Sequence, residues 1–280
     1  MCRHYTQPAA KDNPPSVHQQ QPRPHDVFVR PVRAANLAAE VATIRSLLPR
    51  YPCVTVHAEY PRCDADHILL PPGVREEDLS PAQRYALAKI DIDTLPVLQL
   101  GITLCDADGR LPVLPGPWGA AEAVWQVVFR YSDTRRGVSL GAFAAALFAS
   151  GAVSPETWGR VTWVAYGGLY HFGFLLKILT GGGVPLPDTK EEFSVMLGAY
   201  LGQGVLDGKY VAARLPFCAS LEGGLTYVAA MLDTPAVAAT ELWQAGQKSL
   251  VACQVFMRMK GLFFAWHGID MHAGRIHGLH

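Results

Sequence analysis

"VTVHAEYP" (residues 54–61) begins as a buried strand should and then sets a histidine and a glutamate two residues apart. Side chains alternate along a strand, so His57 and Glu59 share one face of the sheet while Ala58 points to the other. An apolar strand ending in two same-facing polar groups is either running out into solvent or placing a carboxylate where a metal ion or a general base is needed. An isolated His-x-Glu pair does not choose between these, so the choice rests on the rest of the chain.

Upstream, "NLAAEVATIRSLLPRY" (residues 36–51) carries Leu37, Val41, Ile44 and Leu48 at spacings of four, three and four, with Pro49 and Pro52 beyond, which predicts an amphipathic helix. Downstream, a proline-rich loop (residues 61–73) leads to "SPAQRYALAKI" (residues 80–90), where Ser80 suits an N-cap and Pro81 the first helical position. "LPVLQLGITLCDADGRLP" (residues 95–112) reads as a strand ending in the turn "DADG", and "EAVWQVVFRY" (residues 122–131) as its antiparallel partner after a Gly/Pro-rich connection. Next come a helix in "SLGAFAAALFASG" (residues 139–151), a strand in "VTWVAY" (residues 161–166) and a helix in "HFGFLLKILT" (residues 171–180), stopped by three glycines. Helices follow in residues 188–201 and 224–232, and a long apolar one in residues 240–268. Strands that start in a hairpin and later alternate with helices predict an α/β fold, a mixed sheet flanked by helices in a single domain from residue 27 to 280.

Composition bounds the function. The 280 residues are 50% hydrophobic, enough for a substantial core, and the formal net charge is +0 with a pI near 7.1. That balance argues against a generic polyanion binder while leaving room for a local basic groove. Six scattered cysteines without a C-x-x-C pair argue for reduced thiols in an intracellular protein and against structural zinc. No apolar run is long enough to span a membrane, and residues 1–26, rich in Gln, Pro and His, are expected to be a disordered tail.

Five stretches together resemble one family along nearly the whole folded part of the chain. "VRPVRAANLAAEVATIRSLLPRYPCVTVHAEYP" is similar to the opening helix and D-T-E-F-P strand of the Caf/Pop mRNA deadenylases of the Ccr-Not complex. "DTLPVLQLGITLCDADGRLP" is similar to their I-Q-L-G-L-T-F segment, and "VTWVAYGGLYHFGFLLKILT" to W-x-x-F-H-S-G-Y-D-F-G-Y-L-x-K-x-L-T. "VLDGKYV" resembles Y-D-x-K-Y/H-L, and "WQAGQKSLVACQVFMRMKGLFF" resembles H-Q-A-G-S-D-S-L with its helix. The resemblance implies a ribonuclease H-like fold of the DEDD exoribonuclease class, 3′ to 5′ cleavage of poly(A) with divalent Mg or Mn, and partners in the Ccr-Not scaffold and the Ccr nuclease. It also implies possible contact with poly(A) RNA, no membrane, and residence in nucleus and cytoplasm.

Such a nuclease holds two divalent cations between four acidic side chains, with a histidine as general base. Here the resemblance puts the first acid on His57, keeps the second as Glu59, and puts the third on His171, the fourth on Lys248 and the histidine on Trp243. Four carboxylates carry −4, whereas His57, Glu59, His171 and Lys248 sum to zero with neutral imidazoles. An ammonium about 4 Å from a divalent ion is repelled by roughly 8 kcal/mol at an effective dielectric near 20. The expectation is a catalytically degenerate family member without a resident cofactor, in which Lys248 lies near Glu59 and replaces the cation internally.

Other readings stay open at this stage. Lys248 can point to solvent, as helix lysines usually do, and His171 can be a capping or core histidine. His57, Glu59 and His171 also make a two-histidine, one-carboxylate set for Zn²⁺ or Fe²⁺. Asp207, Lys209 and Tyr210 read first as fold-maintaining. On function, the alternatives are residual metal-dependent exonuclease activity and poly(A) binding without turnover.

Overall fold

The structure is a computed structural model, and it describes residues 27–61, 78–214, 221–235, 244–264 and 268–280. The expected tail (residues 1–26), most of the proline-rich loop and Trp243 lie outside the described residues. In chain order the elements are β1 (Phe28–Val32), α1 (Leu37–Leu47), β2 (Cys53–Glu59), α2 (Pro81–Thr94), β3 (Gln99–Cys105), β4 (Val113–Gly116), β5 (Gly119–Val128), α3 (Leu140–Ser150), β6 (Thr162–Ala165), α4 (Gly168–Leu179), α5 (Lys190–Leu201), β7 (Val205–Asp207), α6 (Gly208–Ala213), α7 (Leu225–Met231) and α8 (Ala245–Phe263).

The sheet runs β1-β5-β3-β2-β6-β7, with β4 paired to the first half of β5. β3 is antiparallel to both neighbours, whereas β2, β6 and β7 are parallel to one another. The parallel strands therefore end at a common edge. Even-numbered residues of β2 (Val54, Val56, Ala58) join the large core with α1 to α5, while Cys53 joins a second cluster with Leu250, Cys253 and Phe256 of α8. Helices thus cover both faces, α8 lying alone across the centre of one.

Most predicted elements form where the periodicity puts them. Ser80 and Gln83 make a reciprocal capping box at the start of α2 with Pro81 in its first turn, and Gly151 closes α3 in the left-handed conformation at φ 73°. α4 starts a turn earlier than expected, at Gly168, so His171 is the fourth residue of the helix rather than its first. The cause is Gly167, whose φ of 80° lets the chain turn straight from β6 into helix. Three elements escape the sequence reading. β1 contains Pro31, which argues against a central strand but is tolerated on the edge where β1 sits. β4 lies in the stretch read as connection, and β7 with three residues is too short to show a period. The last helix is described only from Ala245 to Phe263. Among the described residues no helix is long and apolar enough to cross a membrane.

Candidate functional site

The last turn of β2 carries His57 and Glu59 out to the edge where the parallel strands end, and one helix from each face reaches them. α4 contributes His171, whose Nδ1 accepts the backbone N–H of Ala58 at 3.2 Å. Its ring lies against that of His57, with centroids 4.0 Å apart and planes tilted by 41°. From the other face α8 brings Lys248, and its Nζ stands 2.6 Å from Oε1 of Glu59. His57 Nε2 is 3.0 Å from the same oxygen. The four residues that the resemblance puts at the acidic positions, His57, Glu59, His171 and Lys248, thus come together.

The close seat of α8 explains how Lys248 gets there. Gly101 on β3 is paired in register with His57, and a Cβ on it would lie 1.8 Å from the carbonyl oxygen of Ala245, the first residue of α8. Only glycine lets the helix press this close. Gly246 fits likewise, since a Cβ there would meet Val29 at 2.9 Å and the Trp125 carbonyl at 3.3 Å. Two glutamines satisfy amides left over at the helix start: Oε1 of Gln99 accepts from Ala245 N and Oε1 of Gln126 from Gly246 N, each at 3.3 Å. One turn on, Ser249 and Thr103 hydroxyls bond at 2.8 Å. Lys248 is thereby aimed over the end of β2.

Glu59 is a settled carboxylate. Burial pushes its pKa up, but hydrogen bonds from His57 and Lys248, with their charges, outweigh it and hold the group below its ordinary value. Its side chain is 21% exposed and that of Lys248 24%, so the pair is half-sheltered rather than sealed. A divalent ion at Glu59 would have to share the carboxylate with this ammonium, and repulsion of roughly 8 kcal/mol at 4 Å opposes it. One carboxylate, two imidazoles and an ammonium do not fit a pair of hard cations. Nor is the His57–Glu59–His171 set laid out for a softer ion. Nδ1 of His171 is taken by the Ala58 amide, and among the described residues no group of three or more His, Cys, Asp or Glu is placed to hold a metal.

Asp207 is a carboxylate of another kind. It is fully buried, and its two oxygens accept four backbone amides at 2.9 Å: Gly167 and Lys209 on Oδ1, Gly168 and His277 on Oδ2. It ties the starts of α4 and α6 to the C-terminal segment. Sequence reasoning missed Gln99, Gln126 and Gly101. Only the "LQLG" segment hinted at two of them, and their roles depend on α8, some 145 residues away. Beside the site, Gln99 and Gln126 also line an open polar cleft with Arg33, Ser132, Arg135 and Gln244.

No family model matches the chain. It is 29% identical over 277 residues to "Probable CCR4-associated factor 1 homolog 7" of Arabidopsis thaliana, covering 90% of this chain and 94% of that protein. It is 28% identical over 252 residues to "Poly(A) ribonuclease pop2" of Schizosaccharomyces pombe, covering 84% and 70%. Among solved structures, the Mg²⁺- and Mn²⁺-bound form of S. pombe Pop2p superposes with a TM-score of 0.72 at 25% identity, over 90% of this chain and 99% of that one. A yeast NOT1 MIF4G domain co-crystallised with CAF1 gives 0.68 at 25% identity, over 91% and 99%. The homologues of this chain are the CCR4-associated factor 1 and Pop2 deadenylases, and the fold that carries its site is that of the Pop2 ribonuclease domain.

Proposed function

We propose that this protein is a deadenylase-family subunit that has given up cleavage and acts by docking, with a Ccr-Not scaffold as its partner and the Ccr nuclease as the subunit it would bring alongside. One observation carries the loss of cleavage: the Lys248 ammonium sits 2.6 Å from the only carboxylate kept among the four metal-binding positions. An internal cation there neutralises Glu59 without the open coordination positions that activate water.

The docking half rests on likeness and on a surface. A relative of the same fold is co-crystallised with a NOT1 MIF4G domain, and its match spans 91% of this chain. On this molecule Phe148 of α3 and Trp158 stay 42% and 41% exposed and gather around Tyr200 of α5. The Phe148 and Tyr200 rings lie 6.2 Å apart, and the Trp158 indole N–H donates to the Tyr200 carbonyl at 3.2 Å. Three aromatics held in one exposed place are the usual centre of a protein contact. Nucleus and cytoplasm, where mRNA is made and degraded, are the compartments this role calls for.

The polar cleft beside Glu59 favours a second reading, poly(A) held without turnover, since Arg135 can meet phosphates and the glutamine amides can meet base edges, Arg33 being paired with Asp133 in the same cleft. The deciding measurement is shortening of a 3′ poly(A) substrate by purified protein in Mg²⁺ and in Mn²⁺, with Glu59→Ala as blank. Activity equal to the blank is expected, and activity above it would restore the exonuclease reading. Co-purification with a MIF4G domain, abolished by Phe148→Glu, is expected of the docking reading. Retention of poly(A) RNA without that association would favour the second.

A further inference from the structure

Away from the candidate site, three cysteines meet beneath α8. Cys53 opens β2 and is paired in register with Cys105, the last residue of β3. From the helix, the Cys253 thiol donates to Cys105 Sγ at 3.4 Å, a contact between residues 148 positions apart. All three are free and buried, and the Thr55 hydroxyl faces Cys53 and Cys253. Hydrogen bonds from Cys253 and Cys53 draw the Cys105 thiol below its ordinary pKa, while bonding to Cys105 and burial push the other two up. A sulfur inclined to the thiolate form, touching a thiol that stays protonated, has both the nucleophile and the resolving partner that thiol oxidation requires.

We infer that Cys105 and Cys253 are a peroxide-sensitive thiol pair whose disulfide staples α8 to the sheet, with Cys53 as an alternative partner for exchange. The Cys105 thiolate attacks one oxygen of hydrogen peroxide: the S–O bond forms, the O–O bond breaks, and the departing hydroxide takes a proton and leaves as water. Cys253 sulfur then displaces the hydroxyl of the Cys105 sulfenic acid. The S–S bond forms, the S–O bond breaks, and the hydroxyl leaves with the Cys253 proton as a second water. Two thiols lose two electrons in all, and the peroxide gains them.

Entry is through the turn at residues 106–109, which follows Cys105 directly. Ala107 and Asp108 are exposed, and the turn meets α8 through Gly109, where a Cβ would lie 3.3 Å from that of Met257, and through a long contact from Lys260 Nζ to the Ala107 carbonyl at 3.5 Å. Local opening of an exposed surface turn is the kind of fluctuation that admits a small oxidant. Cys253 lies five residues beyond Lys248 on the same helix. A covalent link to β3 would therefore also fix the helix that holds the ammonium over Glu59. This inference stands apart from the docking proposal and survives its failure.

The test treats reduced full-length protein with hydrogen peroxide, blocks remaining thiols, digests without reductant and maps linked peptides by mass spectrometry. Expected is a Cys105–Cys253 peptide that disappears with dithiothreitol and is absent from Cys253→Ser, together with a Tm rise of about 5 °C in the oxidised wild type. The wild-type map decides alone if the variant does not fold. Sulfinic acid on Cys105 without a link, a Cys53–Cys105 link alone, or reaction confined to Cys2, Cys63 and Cys218 would overturn the pair. A link that leaves Tm unchanged would overturn the staple.

Discussion

Two carboxylates stand at the edge where the parallel strands end, Glu59 on β2 and Asp207 on β7, and the protein treats them in opposite ways. Asp207 is fully buried and compensated by four main-chain amides at 2.9 Å. Glu59 is part-exposed and compensated by two side chains, Lys248 and His57, converging on one oxygen. Main-chain donors come with the fold, and an acid they surround is part of the architecture. Side-chain donors depend on which residues occupy α8 and β2, and an acid that needs them can lose its former role while the sheet around it persists. The comparison teaches that two acids at neighbouring strand ends can be held in different ways, one by main chain as part of the architecture and one by side chains that sequence change can replace.

The sharpest way to break this contrast is Asp207→Ala. It strands four main-chain amides, one of them buried, and a loss of about 4 kcal/mol is expected in urea unfolding. A loss comparable to that of Glu59→Ala would erase the distinction. Next is Gly101→Ala, whose Cβ collides with main chain of α8 and cannot be relieved by a side-chain turn. About 3 kcal/mol is expected, with Lys248 shifted off Glu59. A crystal structure of that variant with the ion pair intact would show that the helix seat does not aim the lysine.

Glu59→Ala removes a half-sheltered acid and leaves the Lys248 ammonium free to hydrate, so roughly 1 kcal/mol is expected, read by the same titration. The pH dependence follows from sign. The folded pKa of Glu59 lies below its ordinary value, so its contribution is fully present above the ordinary carboxylate range and disappears as pH falls through the folded value. The stability gap between wild type and Lys248→Met should therefore be constant near pH 7 and close under acid. A gap that widens below pH ~4 would contradict it. The smallest expected effect is that of metal: Mg²⁺ or Mn²⁺ should move the Tm of the wild type by under about 1 °C, and His57→Asp/His171→Asp/Lys248→Asp should bring a clear rise.

Much of this fold was legible because its elements carry their own signals. The spacing of Leu37, Val41, Ile44 and Leu48, the Ser80 cap and the valines of β2 each state a local preference that packing then followed. β1, β4 and β7 were not legible, since an edge strand with a proline, a short strand inside a connection and a strand of three residues are held by neighbours rather than by pattern. At the site, the same-face placement of His57 and Glu59 follows from strand alternation. That Lys248 turns inward onto Glu59 rather than outward to water was expected only from the resemblance, which puts it at the fourth acidic position, because by helix geometry alone lysines do either.

The sequence by itself determined which residue types stand at the site: one acid, two imidazoles and an ammonium, and hence a charge too small for a pair of divalent cations. Only the tertiary structure decided where that charge goes. The close approach of α8 over Gly101, with Gln99 and Gln126 closing its first turn, brings Lys248 within 2.6 Å of Glu59, and the same seat brings Cys253 against Cys105. Pairings across 120 to 189 residues are set by the fit of a helix on a sheet, and no local periodicity encodes that fit.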